Sequence, residues 1–227
     1  VVVDSEGHAT LLASRLCEQP RALSQQLFGA LQHTLNEAGW TLDEVDALAV
    51  GLGPGSWTGL RIGLSAAKTL AQTRGWNLVG VPTFRALAQA VWNTCAKTST
   101  LLLVASPCRP GGIYAEIYQA ANKSLSATRN AWIGAPDHIC ATLIDEASVR
   151  GAEAPFVLTG DAASVVGEYL EVAGQPHCII AAKLEDVLLE IARTGAVKVA
   201  NSKDDGALTL QPLYLAPSNA ERNLLAR

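Results

Sequence analysis

The sequence predicts an α/β protein of two lobes, and three observations carry that expectation. A glycine- and proline-rich corner joins a β-branched apolar run to a stretch of helical period. Short apolar runs of strand length alternate with amphipathic stretches along the chain. The order strands, helix, strand, helix, strand, helix occurs before a polar break at Lys97–Ser99 and again after it. The expected division is a lobe over 1–97 and a second over 98–227, each a mixed sheet with flanking helices, the second ending in an extended tail.

In order, Val1–Val3 and Ala9–Arg15 flank Asp4-Ser5-Glu6-Gly7, a hairpin signal with the solitary His8 beside it. Arg21–Ala38 is an amphipathic helix with Leu23, Leu27, Leu31 and Leu35 in one row and Phe28 beside them. Its apolar arc, from Leu23 round to Phe28, is about 140° wide, modestly more than a core-facing stripe requires. Gly39 suits the helix C-cap. Val45–Val50 and Trp76–Val81 are buried strands, and Pro82-Thr83 opens a helix to about Cys95. The second half starts with a strand at Leu101–Ala105, a loop at Ser106–Gly112, and strands at Ile113–Gln119 and Ser124–Ile133. Helices follow over Pro136–Val149, Ala162–Ala173 and Leu184–Thr194, with strands at Pro155–Thr159 and His177–Ala181 between them. Leu208–Leu215 is a last strand or an extended tail, and Asn219–Arg227 is polar enough to fray.

The corner lies at Gly51-Leu52-Gly53-Pro54-Gly55, which no helix or strand interior tolerates cheaply. Such a turn before a helix aims backbone N–H groups at one point, so it is either a phosphate-handling loop or a tight packing turn. Neither standard nucleotide motif fits: Ser56-Trp57 follows Gly55 where Lys-Ser/Thr is needed, and Gly59 comes too late for the dinucleotide pattern. The helix beyond it repeats Gly59, Gly63 and Ala67 every fourth residue, leaving one face nearly bare. Each helical glycine costs about 1 kcal/mol relative to alanine. Two of them imply close approach by another helix, of this chain or of a partner.

Composition narrows the classes. The 227 residues are 49% hydrophobic, enough for one large or two small globular domains. No apolar run reaches a membrane span. The net charge is −4, without a lysine and arginine cluster, which speaks against gripping a nucleic acid unaided. Five scattered cysteines without C-x-x-C fit reduced thiols in a cytoplasm, not a zinc site or disulfide framework. Methionine is absent, so either the native start lies upstream of Val1 or methionines were lost from the recorded sequence.

The segment GPGSWTGLRIG, Gly53–Gly63, resembles the GPGSFTGLRIG signature of the TsaB (YeaZ) family, with Trp57 in place of phenylalanine. LDEVDALAVGLG before it and LVGVPTFRALAQA after it agree, and the likeness is good over Val1–Ala90. The resemblance implies a duplicated RNase H-like fold of the actin, hexokinase and Hsp70 kind. In that fold the first strand of each lobe is central. Val1–Val3 aligns better with the family's second strand, so a first strand is expected upstream of Val1. The resemblance also implies function: a non-catalytic scaffold and activator of TsaD, which transfers a threonylcarbamoyl group to adenosine of tRNA. TsaE is the ATPase of that complex. Without TsaD, a TsaB homodimer forms through the same first two helices. No cofactor is expected beyond a nucleotide at a subunit interface, and the location is cytoplasmic.

The candidate site is thus Gly53, Pro54, Gly55, Ser56, Trp57, Thr58, Gly59 and Arg61 for the corner and helix start. Leu27, Leu31, Gly59, Leu60, Gly63 and Ala67 form the partner face. Neither catalytic residues nor a metal are expected. The four histidines, His8, His33, His138 and His177, include no pair at helical spacing, which leaves metalloprotease chemistry a poor fit. The rival is a nucleotide-binding ATPase or kinase of the same fold. Asp161 is the one carboxylate at a suitable strand-to-helix turn, where a helix N-cap is its commoner role. The chain departs from the family at Leu23-Ser24, Pro107-Cys108-Arg109 and Tyr214-Leu215-Ala216, although Tyr114 is kept, so no nucleotide or anion contact is carried over from those places.

Overall fold

The computed structural model describes residues 2–3, 9–16, 23–94, 100–108, 111–121, 124–152, 155–201 and 203–215. Its strands are β1 (Val2–Val3), β2 (Ala9–Thr10), β3 (Ala47–Gly51), β4 (Asn77–Val81), β5 (Thr100–Cys108), β6 (Gly112–Ala121), β7 (Ser124–Gly134), β8 (Phe156–Thr159) and β9 (His177–Ile179). Its α-helices are α1 (Leu23–Ala38), α2 (Trp57–Arg74), α3 (Thr83–Thr94), α4 (Pro136–Arg150), α5 (Ala163–Val172) and α6 (Leu184–Ala200). They form two compact units, Val1–Thr83 with Leu184–Leu213, and Phe84–Lys183 with Tyr214–Arg227.

This division differs from the expected 1–97 and 98–227. The polar break at Lys97–Ser99 lies outside the described residues. The chain changes unit inside α3 instead, and α6 returns to the first unit. The return has a packing reason. A Cβ on Gly195 of α6 would lie 2.6 Å from the Ala49 Cβ and 3.2 Å from Val79 Cγ2, so helix and sheet meet there backbone to side chain. The helix expected over Leu184–Thr194 runs on to Ala200, with Gly195 as its contact point.

In the first unit, β3 and β4 pair in parallel, from Ala47 opposite Asn77 to Gly51 opposite Val81. Leu64 and Ala71 of α2 cover one face together with Leu52, Leu78 and Leu210. Four β4 residues, from Leu78, are buried, yet none of β3 is, and Ala49 is exposed. A parallel strand is ordinarily buried on both faces. Among the described residues β3 has no second neighbour, and β1 pairs only with β2, shorter than the strand expected over Ala9–Arg15.

The second unit holds a five-stranded mixed sheet in the order β7-β6-β5-β8-β9. Its alternation is regular. Leu101, Leu103 and Ala105 of β5 face Ile139 and Leu143 of α4 and Val166 and Leu170 of α5. Leu102 and Val104 face the other way, onto Phe84, Ala88, Val91 and Trp92 of α3. A central strand covered on both sides needs such an unbroken apolar run. β5 also continues through Ser106, Pro107 and Cys108, where a loop was expected, because each pairs with β6, Pro107 opposite Ile113 and Cys108 opposite Gly112. Proline lacks a donor, and here it still leaves the ladder intact on either side.

Residues 203–215 form no strand. They close the outer edge of β4 by side chains. The Asp204 Oδ1 accepts from Leu78 N–H at 3.0 Å, and the Asp205 Oδ2 from Gly80 N–H at 2.8 Å. Lys198 Nζ donates to Gly80 O at 2.8 Å and to Asp205 at 3.0 Å. The Gly80 amide is the first cause holding the Asp205 carboxyl below its usual range, with Lys198 and Lys203 adding to it against the opposing effect of burial. A carboxyl whose folded pKa is depressed stabilises the fold above its unfolded value, near 4, and loses that contribution as pH falls through the folded value. Asp205→Asn is expected to lower the urea midpoint at pH 7, and the gap from the parent protein closes as the pH is taken from about 5 towards 2. A gap that stays constant over that range contradicts the assignment.

Candidate partner-binding face

The corner is built around Gly53. Its φ is +92°, and a Cβ there would lie 2.7 Å from Leu60 Cδ1, so only glycine fits. Its N–H donates to Thr83 Oγ1 at 3.0 Å, and its carbonyl accepts from Thr83 N–H at 2.9 Å. Thr83 thus locks the end of β3 to the start of α3. Leu52, Gly53 and Pro54 are buried, and the Gly53–Pro54 peptide is cis. Ser56 caps α2, its Oγ accepting from Gly59 N–H at 3.3 Å, while its carbonyl accepts from Leu60 N–H at 2.9 Å.

These bonds bear on the two meanings of the corner. An anion cradle requires backbone N–H groups free to point at a ligand. At Gly53, Gly59 and Leu60 those groups are already bonded within the protein. The bonds at Gly53 tie the corner, from which α2 leaves, to the start of α3.

Beyond it the expected site residues separate. Ser56, Trp57, Thr58 and Arg61 are exposed, with the Arg61 guanidinium 4.2 Å above the Trp57 ring. Gly55 has open space about it, and so has Gly63: a Cβ there would meet nothing within 4 Å. At Gly59 a Cβ would touch only Ser56, at 3.4 Å. Two members of the expected partner face turn inward. Leu60 lies against Gly53, and Ala67 packs on the core beside Leu64. The bare ridge is therefore Gly59–Gly63, one turn shorter than the sequence spacing implies.

α1 supplies the other half of the face. It ends at Gly39 (φ +73°), with Trp40 N–H bonded to Leu35 O at 2.9 Å. From Ser24 to Ala38 no residue is buried. Leu27, Leu31 and Leu35 are half-buried, and Phe28 is 52% exposed. An amphipathic helix of this kind normally gains its stability by burying that row.

The groups expected for rival chemistry are dispersed. His33, His138 and His177 lie on α1, α4 and β9, while His8 is outside the described residues. Asp161 is exposed and lies outside the cap, because α5 starts at Ala163 with Ala162 as its N-cap. Among the described residues no three His, Cys, Asp or Glu converge as a metal set. Sequence reasoning missed Thr83; the only signal was its place directly after Pro82 at a helix start. It also missed Glu116, whose carboxyl burial pushes up, with Tyr118 and Arg85 beside it in the second unit. Such residues, spread over β6 and α3, leave no mark in local spacing.

Residues 12–208 match the family model described as TsaD: tRNA N6-adenosine threonylcarbamoyltransferase. The chain belongs to this family. Proteins named TsaB are among those similar to this chain. It is 37% identical over 100 residues to the tRNA threonylcarbamoyladenosine biosynthesis protein TsaB of Escherichia coli, covering 44% of this chain and 42% of that protein. To TsaB of Haemophilus influenzae it is 35% identical over 32% of this chain and 30% of that one. Both matches span less than half of the relative's length. A solved YeaZ from Pseudomonas aeruginosa superposes with a TM-score of 0.62 at 22% identity, over 85% of each chain, so the two share a fold.

The corner yields a prediction that needs no partner. Thr83→Val keeps the shape of the side chain and removes the acceptor of the buried Gly53 N–H. It is expected to cost about 1–3 kcal/mol, read as a lower urea midpoint, whereas Thr58→Val, on the exposed first turn, leaves the midpoint within about 0.5 kcal/mol.

Proposed function

We propose that the chain is a non-catalytic subunit of tRNA N6-threonylcarbamoyladenosine synthesis that docks TsaD through α1 and the first turns of α2. One observation carries this reading: a leucine row on α1 that its own unit leaves half-open, together with a glycine ridge on α2 where an added Cβ would meet nothing or only Ser56. Taking Leu27, Leu31 and Phe28 fully out of water is worth about 1 kcal/mol each. Gly59 and Gly63 let a partner helix approach backbone to backbone. Trp57, held under Arg61, is an exposed aromatic of the kind that anchors interfaces.

The same face serves a second copy of the chain when TsaD is absent, and TsaE joins the complex as its ATPase. The net charge of −4 leaves tRNA to be held by the partner. The substrate places the work in the cytoplasm. No helix among the described residues is long and apolar enough to cross a membrane.

Gly63→Leu places a side chain in open space, so it is expected to fold with an unchanged urea midpoint and to weaken docking to TsaD at least about tenfold. Phe28→Ser, at an exposed position, is expected to do the same. Isothermal titration against TsaD reads both, and wild-type affinity in the two variants removes the face from the interface. The rival kinase-like function predicts instead that the chain alone binds ATP or ADP, which the same calorimeter measures.

A further inference from the structure

The segment after α6 does more than trail along the surface. Leu78 and Gly80 alternate with Val79 along β4, so their N–H and C=O groups all point to the edge away from β3. Each of the four is taken. Asp204 and Asp205 carboxylates accept the two N–H groups at 3.0 and 2.8 Å. Asp205 N–H donates to Leu78 O at 3.1 Å, and Lys198 Nζ to Gly80 O at 2.8 Å. Two residues and a lysine thus do the work of a whole neighbouring strand.

From this clasp the segment runs to the corner. Gly206 N–H returns to Asp204 Oδ1 at 3.0 Å, and Leu210 N–H to Gly206 O at 3.0 Å. Leu210 is buried in the same cluster as Leu52, and both side chains occupy the space over Gly80, within 2.7 Å of where a Cβ would be. Leu213 N–H then donates to Leu52 O at 2.9 Å, across the peptide bond that leads into Gly53. The carbonyl so held is the last before the turn that launches α2.

We propose that residues 203–213 are a conformational clasp for the glycine-proline corner: the aspartates fix the strap on β4, and its far end, through Leu210 and Leu213, holds Leu52 and so fixes the start of α2. Two features make the strap releasable. It is joined to β4 by one backbone bond and side chains and not by a continuous ladder, and Leu208 in its middle and Leu213 at its end are 84% and 41% exposed. Its consequence for docking rests on the function proposed above; its structural content does not.

Hydrogen exchange of the full chain alone tests it. In Asp204→Ala/Asp205→Ala, exchange is expected to rise at least about tenfold at Leu78 and Gly80 and also at Gly53 and Leu60, which touch neither aspartate. Leu213→Pro deletes the single donor to Leu52 and is expected to speed Gly53 and Leu60 while Leu78 and Gly80 stay protected. In both variants the strands β5 and β6 of the second unit keep their parent rates. Wild-type exchange at Gly53 and Leu60 in both variants overturns the clasp, and so does an equal rise throughout the chain. Titration of the same variants with TsaD separates the two claims: altered exchange with unaltered affinity retains the clasp and counts against the docking face.

Discussion

A single backbone position sets the geometry of the first unit. Gly53 has a φ of +92° with Leu60 pressed against the side where a Cβ would stand. Its amide and carbonyl close a reciprocal pair with Thr83. Because the amide is buried, leaving it unbonded costs more than an average hydrogen bond gains. The corner is consequently fixed from three sides: Thr83 behind it, Leu60 over it, and the Leu213–Leu52 bond before it. The direction in which α2 leaves β3 follows from these contacts, and with it the position of the Gly59–Gly63 ridge.

Much of this was legible in the chain, for identifiable reasons. Strands such as β4 and β5 are continuous apolar runs because they are covered on both faces, and helices α2 to α5 carry a strong period or caps. The Ser56 cap and the Gly39 stop follow local chemistry that sequence spacing displays directly. What escaped was long-range. Nothing in Asp204-Asp205 announces that two carboxylates will act as a strand edge for Leu78 and Gly80, more than a hundred residues earlier. The expected helix ended at Thr194, because spacing cannot tell a helix end from a glycine in close contact with Ala49. Pro107 looked like a loop because its missing donor weakens a ladder locally, and pairing on either side outweighs that loss.

The site was legible in part for the same reason. A period of four identifies residues on one helical stripe, but not where the core ends and the open surface begins. Gly59, Gly63 and Ala67 share a stripe, yet Ala67 falls on the buried side and Gly63 on the open one. Leu60 has an interface residue's position and a corner residue's job. In α1 the sequence arc of about 140° was only a little wider than a core needs, and the structure places the excess at Phe28, which its own unit does not cover.

The corner differs from a phosphate loop in how its amides are used. A phosphate loop works by leaving amides unsatisfied until the ligand arrives, so its fold must be held by other contacts. In this corner the Gly53 and Gly59 amides are bonded within the chain, and the rigidity so obtained is passed to the helix that follows. Glycine at 59 and 63 would be a liability in a helix meant only to pack on its own sheet, where alanine is better by about 1 kcal/mol at each position. Neither glycine is required by a contact inside the unit, since a Cβ at Gly63 meets nothing and one at Gly59 only grazes Ser56. The fold alone therefore does not account for them; the docking proposed above does, with a partner helix lying on the ridge.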